Sequence, residues 1–357
     1  MNTPFEDGFY FPAEWMRHEA TWLTYPYNES SFPGKLPSVY PAYLRFIAEI
    51  AAAEKVRINV PAGFREQLEE QLREEGISDS RTELFDCEND DVWCRDHGPA
   101  FVIHPRTAQK AIVDWEFNAW GGKYPCKKDN RIAGAIARRL SLPAYRPNIV
   151  MEGGSVEFNG EGSLLTTRSC LLNPNRNPHL SQGKIEQYLH QYYGVSQVLW
   201  LEEGIAGDDT DGHVDNLTRF IAPDTVATVV EHNKKSPNYR QLQHNLQLLK
   251  KMRLLNGRQL NIIELPMPDP VIYQQQRLPA SYANFYFTND ALIVPVFRRR
   301  QDEKALQILE TCIPHRRVTG IDSTDLIWGG GSFHCLSQQE PFAVPDVPPH
   351  SVKQAPR

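Results

Sequence analysis

Apolar positions first recur at helical spacing at Tyr43, Phe46, Ile47 and Ile50, which predicts a helix with one buried face. Lys55 to Val60 then switches to alternation, with Val56, Ile58 and Val60 on one side, the period of a strand. A charged helix is expected from about Gly63 to Glu75, and further helices near Asn130, Leu180, Asn238 and Gln301. Between them lie apolar, β-branched runs read as strands: Ala111–Phe117, Ser163–Thr167, Gln197–Leu201, Thr225–Val230, Leu260–Leu265 and Ala291–Phe297. The result is five helix-plus-strand modules, spaced by roughly 50–65 residues. Five such modules predict an α/β domain closed radially rather than an open doubly wound sheet. No GxGxxG follows an early strand and there is no P-loop, which argues against dinucleotide and nucleotide folds. Residues 1–40, rich in Pro and aromatics with little periodicity, read as a wrapped N-terminal segment. Residues 1–340 are expected to form one catalytic domain, and the Pro-rich 341–357 an extended tail.

Composition changes this picture little. The 357 residues are 41% hydrophobic and 23% charged, an ordinary globular mixture. A net charge of -6 weighs against nucleic acid as partner, since a phosphate backbone selects for a basic face. No charged-then-apolar leader and no run of about 18 apolar residues is visible, so neither secretion nor a membrane span is expected. Six scattered cysteines without a CxxC pair suggest reduced thiols in a cytoplasmic protein and no structural zinc.

The chemistry gathers in four turn-like stretches. Trp93-Cys94-Arg95-Asp96-His97-Gly98-Pro99 puts Asp96 at the mouth of an element beside an indole, although Arg95 and Asp96 could equally form a structural ion pair. Met151-Glu152-Gly153-Gly154-Ser155 puts a carboxylate after the apolar run Asn148-Ile149-Val150. Gly207 to Asn216 packs Asp208, Asp209, Asp211, Asp215 and His213 together; an extended 213–215 would aim His213 and Asp215 to one face. A calcium loop and a His/Asp metal site are rivals there, but the EF-hand spacing is absent. Finally, Cys335 follows Gly329-Gly330-Gly331, a turn whose glycines let other groups approach closely. A plain buried cysteine is the competing reading of that turn.

Taken together, these stretches supply a thiol, an imidazole and an excess of carboxylates. Cys and His make a nucleophile–base pair, but a peptidase needs one orienting acid or amide and oxyanion donors. A cleft holding Asp96, Glu152, Asp211 and Asp215 suits a planar cation with several donors instead. A guanidinium is such a cation, and carboxylates match its fork bidentately. The residues therefore suggest attack by a cysteine on a guanidinium carbon.

Further stretches carry a family resemblance: Pro12-Ala13-Glu14-Trp15, His18 to Leu23, Phe117 to Lys123, Glu152-Gly153-Gly154, Thr210 to Asp215, Ser281 to Tyr286 and the Cys335 turn. On these and the Trp93–Pro99 stretch, the chain resembles the agmatine deiminases. These form a branch of the guanidine-modifying (pentein) superfamily shared with bacterial peptidylarginine deiminases. The resemblance implies a fivefold pseudosymmetric α/β propeller and no metal or organic cofactor. It implies Cys335 as nucleophile, His213 as general acid/base and Glu152 as the carboxylate beside them. Asp96 and Asp215 would clamp the guanidinium, Trp93 would line the cleft, and Asn284 and Trp120 would form its wall. Asp211 would either hold the distal amine or shape its turn. The implied reaction is hydrolysis of agmatine to N-carbamoylputrescine and ammonia through a cysteine thiouronium, in putrescine biosynthesis.

The expected partner is thus a small cationic guanidine, with no nucleic acid or membrane and with homo-oligomerisation left open. Arginine and peptidylarginine deiminases are the nearest rivals, and a non-catalytic polyamine binder is the rival from another class. One departure bears on specificity: Thr24-Tyr25-Pro26-Tyr27-Asn28 stands where the resemblance leads one to expect Ala-Trp-Pro-His-Asn.

Overall fold

The computed structural model describes residues 2–344. Five sheets share one pattern: a buried first strand runs antiparallel to a second, and a helix then crosses over to a third strand parallel to the second. Ala100–Ile103, Lys110–Val113 and Ala144–Tyr145 make one such unit, crossed by the helix Ile132–Leu140. Val156–Phe158, Ser163–Thr167 and Gln197–Leu201 make the next, with Gln182–Tyr193. Thr218–Ala222, Thr225–Val230 and Asn261–Pro266 follow, with Tyr239–Lys251. Then come Tyr286–Phe287, Ala291–Val296 and Arg317–Asp322, with Asp302–Cys312. The remaining sheet closes the chain on itself. Its first strand, Ser337–Pro341, pairs with His18–Thr24, which continues through the helix Leu36–Ala51 to Lys55–Val60 and through Arg65–Glu74 to Thr82–Asp86. The five-module α/β arrangement expected from the hydrophobic pattern is therefore present. A short hairpin, Ile272–Tyr273 with Gln276–Arg277, is added to it.

The first strands are almost wholly buried, whereas the last strands Thr82–Asp86, Asn261–Pro266 and Arg317–Asp322 are largely exposed or half-buried. The helices carry amphipathic faces: Leu242, Leu246 and Leu249 are buried on Tyr239–Lys251, and Ala305 and Leu309 on Asp302–Cys312. The centre, by contrast, is polar. Glu14, Arg95, Glu157, Arg219, Gln338 and Gln339 are buried there and bond to one another or to main chain. Buried charges persist only when paired and hydrogen-bonded, and this network meets that condition.

Several expectations need correction. Residues 1–40 are more than a wrapped segment, because His18–Thr24 is a buried strand and the first helix begins at Leu36. A proline in its first turn starts that helix, where the missing N–H costs nothing. The strand expected over Ala111–Phe117 ends at Val113; beyond it, Glu116 makes only a single bridge to Val150. Residues 213–215 are not extended: after His213 the chain enters a 3₁₀ turn, Val214–Asn216. Pro341 ends a strand paired with His18, while 345–357 of the expected tail lie outside the described residues. Among the described residues no helix is long and apolar enough to cross a membrane.

Candidate active site

In each unit the segment that leads into the buried first strand carries a polar residue of interest. Cys94–His97 precedes Ala100 and carries Asp96; Glu152 precedes Gly153–Ser155 and Val156. His213 and Asp215 precede Thr218, Asn284 precedes Tyr286, and Phe333–Leu336 precedes Ser337 and carries Cys335. Equivalent positions of five repeats converge, which is why residues so far apart in sequence meet.

The nucleophile candidate is fixed from two sides. Asn284 Nδ2 donates to Cys335 Sγ at 3.0 Å, and its Oδ1 accepts from the N–H of Ser332 at 3.1 Å and of Cys335 at 3.3 Å. Asn284 was expected in the cleft wall; here it clamps the cysteine turn. The glycines of that turn make room for Trp93. A Cβ at Gly331 would lie 2.7 Å from the indole, and one at Gly329 2.8 Å from it. Asp215 Oδ2 stands 3.5 Å from Sγ. Burial pushes the Cys335 thiol well above its ordinary value, and the Asp215 and Asp96 carboxylates push it the same way.

His213 is fully buried. Its Nδ1 lies 3.7 Å from Asp96 Oδ1 and its Nε2 3.9 Å from Glu152 Oε2. These are ion-pair distances, and neither ring nitrogen has a hydrogen-bond partner. Burial alone would lower its pKa, but Asp96 foremost, with Cys170 and Glu152, outweighs it and holds the imidazole well above its usual range. Gly154 makes the convergence sterically feasible. A Cβ there would sit 2.6 Å from His213 Nδ1, 2.8 Å from Asp96 and 2.9 Å from Asp215, distances at which something must move.

Glu152 is held by Arg176, whose Nε donates to Oε1 at 2.7 Å. Burial would raise the carboxyl, but His213 and Arg176 bring it below the usual range. Arg176 also reaches Asp211 at 2.5 Å and donates to the Thr210 carbonyl at 2.9 Å. Asp211, with φ of 66°, additionally accepts from Asn175 at 2.9 Å and from Lys123 at 3.1 Å. It sits one layer out from Cys335, part-exposed, with its carboxylate engaged.

Asp96 accepts from Gly154 N–H at 2.9 Å through Oδ1 and from Trp120 Nε1 at 2.9 Å through Oδ2. Trp120 is presented by a left-handed stretch: Ala119, Trp120, Gly121 and Gly122 all have positive φ, from 53° to 97°. Two of these are not glycine, a conformation that costs roughly 1–2 kcal/mol per residue. Asn118 braces it by accepting from Gly121 N–H at 2.9 Å.

Asp215 is supported differently. His334 bonds its Oδ2 at 2.7 Å and reaches Glu14 at 2.9 Å on the other side. Glu14 is in turn held by Arg219 at 2.9 Å and Arg95 at 3.2 Å. Burial would raise Asp215, but His334 draws it below the ordinary range. Its other oxygen, Oδ1, is buried with no partner.

The structure thus brings together Asp96, Glu152, His213, Asp215, Asn284 and Cys335, with Trp93 and Trp120 packed against them; Asp211 stays outside. Sequence reasoning assigned no role to Arg176, His334, Glu14 or Arg219. A lone arginine within Asn173-Pro174-Asn175-Arg176-Asn177-Pro178, and a histidine next to the cysteine, were the available signals.

The sequence pattern of the Porphyromonas-type peptidyl-arginine deiminase family matches residues 10–341, and the chain belongs to that family. Within it, the chain is 35% identical over 363 residues to the agmatine deiminase of Ectopseudomonas mendocina, covering 95% of this chain and 97% of that protein. The solved agmatine deiminase of Enterococcus faecalis superposes with a TM-score of 0.91 at 33% identity, over 96% of this chain and 99% of that one. A C. jejuni agmatine deiminase, solved as a Cys-to-Ser variant with substrate bound, does so with a TM-score of 0.85 at 31% identity, over 94% and 97% of the two chains.

Proposed function

We infer that this chain hydrolyses agmatine to N-carbamoylputrescine and ammonia through a covalent intermediate on Cys335. One observation carries the mechanism. A buried thiol lies 3.5 Å from Asp215, whose other oxygen Oδ1 is unbonded, and Asp215 converges on Gly154 with His213, an imidazole with no hydrogen-bond partner. Buried polar atoms are rarely left unpaired without a role, and a guanidinium supplies the donor that Asp215 Oδ1 lacks.

Cys335 thiolate attacks the guanidinium carbon, while Asp215 and Asp96 hold the cation's plane. His213 gives a proton to one nitrogen, the C–N bond breaks and ammonia leaves. The S-alkylthiouronium remains on Cys335. His213, now neutral, takes a proton from water, whose oxygen attacks the same carbon. The C–S bond breaks, Cys335 regains its electron pair, the added hydroxyl gives its remaining proton to solvent and the ureido product departs. Glu152, fixed by Arg176, stabilises the imidazolium before ammonia is released and again after water has given up its proton. No group outside the chain is called on.

Agmatine is favoured over arginine by what surrounds the carboxylates. An α-carboxylate needs a free cation, and Arg176 and Lys123 are already paired with Glu152 and Asp211. The departing run Thr24–Asn28 turns away from a direct catalytic role: Asn28 donates to the Asp90 carbonyl at 2.7 Å and Tyr27 bonds the Asn89 carbonyl. Six unpaired cysteines support a cytoplasmic location.

The raised thiol implies that the arriving cation itself lowers the Cys335 pKa. Ammonia release from agmatine, free arginine and a peptide with C-terminal arginine, measured side by side, tests the substrate. Turnover of agmatine alone is expected; turnover of arginine or the peptide instead would overturn the assignment. Cys335→Ala should abolish turnover while agmatine still binds, whereas residual turnover would remove Cys335 from the chemistry.

A further inference from the structure

The mechanism above makes no use of Cys170, although this thiol is buried behind the acid/base histidine. It sits on the short helix Arg168–Leu171 that follows the strand Ser163–Thr167, and Thr167 Oγ1 caps the helix by accepting from its N–H at 3.4 Å. Cys170 Sγ lies 4.0 Å from Glu152 Oε2, and His213 Nε2 lies 3.9 Å from the same oxygen. One ligand atom from each of the three residues falls within 4.8 Å of the others, and all three are buried.

We propose that Glu152, Cys170 and His213 form an inhibitory binding site for a borderline-soft divalent metal ion, Zn²⁺ above all. The inference rests on the reading of His213 as acid/base only for its effect on activity, not for binding. A thiolate, an imidazole and a carboxylate are the donor types that select zinc, and three protein ligands with an exchangeable water make a complete four-coordinate sphere. Bond lengths of about 2.3 Å to sulfur and 2.0–2.2 Å to nitrogen and oxygen place tetrahedral ligand atoms roughly 3.3–3.6 Å apart. The two spacings to Glu152 Oε2, 4.0 and 3.9 Å, need to close by about half an ångström, and the Cys170–His213 spacing, within 4.8 Å, by up to roughly 1.2 Å.

Two features favour metal capture over a merely packed cysteine. Both ring nitrogens of His213 lack a hydrogen-bond partner, so Nε2 is free to turn toward a ligand. Arg176 engages Glu152 through Oε1, which fixes the carboxylate and leaves Oε2 toward Cys170 and His213. Binding exchanges the Cys170 thiol proton, and the His213 proton where present, for the metal, and both leave to solvent. No electrons are transferred. The thiolate and carboxylate then balance the ion's charge. With Nε2 on the metal, the ring keeps one proton at Nδ1 on the Asp96 side and can no longer cycle between imidazolium and imidazole, while Cys335 stays free.

The competing placement for a thiophilic ion is Cys335 with His213, and the experiment separates the two. Cd²⁺ is titrated into Cys335→Ala protein and into Cys335→Ala/Cys170→Ala protein, with the thiolate-to-metal charge-transfer band as readout. The part-exposed Cys87, Cys126 and Cys312 are present in both, so any contribution from them cancels. The expected result is one more equivalent of thiolate-bound Cd²⁺ when Cys170 is present. Equal stoichiometry in the two proteins overturns the proposal.

In a second arm, with each protein's rate taken relative to its own metal-free rate, the Zn²⁺ concentration giving half-inhibition should rise at least ~10-fold in Cys170→Ser. An unchanged half-inhibition concentration in an active, folded Cys170→Ser protein also overturns it. In the wild type under Zn²⁺, Cys335 should remain open to alkylation; protection of Cys335 assigns the metal to the nucleophile instead. The Cd²⁺ arm needs no catalysis, so it decides even if the proposed reaction is wrong.

Discussion

The two carboxylates that flank Cys335 occupy walls of opposite design. Asp96 leans on neutral donors, the Gly154 N–H and the Trp120 indole, and both its oxygens are engaged. Burial raises its pKa; His213 works against this, and Asp215 and Glu152 add to it. Asp215 leans on His334 and, through it, on Glu14 with Arg219 and Arg95. Its pKa is lowered and one of its oxygens is unbonded. The same side chain is thus tuned in opposite directions on the two walls. Bonding to His334, backed by Glu14 and its arginines, draws Asp215 down, whereas on Asp96 burial outweighs two neutral donors and a histidine at 3.7 Å.

The sharpest way to break this comparison is to remove each charge in turn. Asp215→Asn can keep its oxygen on His334 and place its amide at the unbonded Oδ1 position, so stability should change little. The lost anion faces the guanidinium in a buried site, where removing one partner costs about 3–5 kcal/mol; kcat/KM should therefore fall on the order of 10³-fold. Asp96→Asn must turn its NH₂ toward either Gly154 N–H or Trp120 Nε1. That unpaired donor should cost about 1–3 kcal/mol of folding stability in addition to activity. Chemical denaturation and steady-state kinetics of both variants check this. Equal stability losses would mean that the two walls are equivalent.

The next effect in size concerns what keeps Asp215 ionised. In His334→Gln, the contact that lowers the Asp215 pKa is weakened, so the carboxyl should protonate at higher pH. As pH falls, activity is lost when Asp215 takes a proton; the acid limb of kcat/KM should therefore move to higher pH, with the loss confined to the acid side and turnover at neutral pH little changed. A purely structural role for His334 would lower activity without moving the limb. His334 is accordingly a positioning residue rather than a catalytic one.

These two walls also differ in how far they can be read from sequence. The outer helices were legible because one buried face recurs every three to four residues, as at Leu242, Leu246 and Leu249. Several first strands were not. Val156–Phe158 and Tyr286–Phe287 are too short for a period to emerge, and Ser337–Pro341 reads Ser-Gln-Gln-Glu-Pro although every residue in it is buried. Alternation of apolar and polar residues fails where the buried partner is a charge. The Asp96, Glu152, His213 and Cys335 positions were legible because each lies in a glycine-marked turn. Their supports were not, since Glu14 meets Arg219 and His334 only through the closure of the ring, and nothing local in Pro12-Ala13-Glu14-Trp15 announces a buried triple ion pair.

A smaller effect sharpens the Asp96 wall. Trp120→Phe removes the indole donor but keeps a ring against Phe117, whose centroid lies 5.3 Å away. One hydrogen bond to a carboxylate is worth about 1.5 kcal/mol net. KM for agmatine should rise several-fold, with kcat changed less, because the carboxylate is displaced rather than removed. A fall in kcat alone would detach Trp120 from substrate binding.

The least effect on catalysis, and the last test of the contrast, comes from His97, the second histidine beside the site. His334 is bonded at both ring nitrogens, whereas His97, next to Asp96, is buried with neither nitrogen partnered. Burial pushes His97 down to about 4, against a smaller upward pull from Asp96. An unfolded histidine titrates near 6.5, so the unfolded chain takes its proton first as pH falls. The stability held by neutral His97 is therefore full above about pH 6.5 and is lost progressively down to about pH 4. Between pH 7.5 and 5.5 the loss should be about 1 kcal/mol. His97→Phe, packed edge-on near Phe117 at 6.0 Å as the imidazole is, should remove that slope while leaving turnover at pH 8 near the wild-type value. Denaturant midpoints of both proteins at the two pH values decide it: parallel shifts would show that His97 is not held neutral and that the Asp96 wall tolerates charge as the Asp215 wall does.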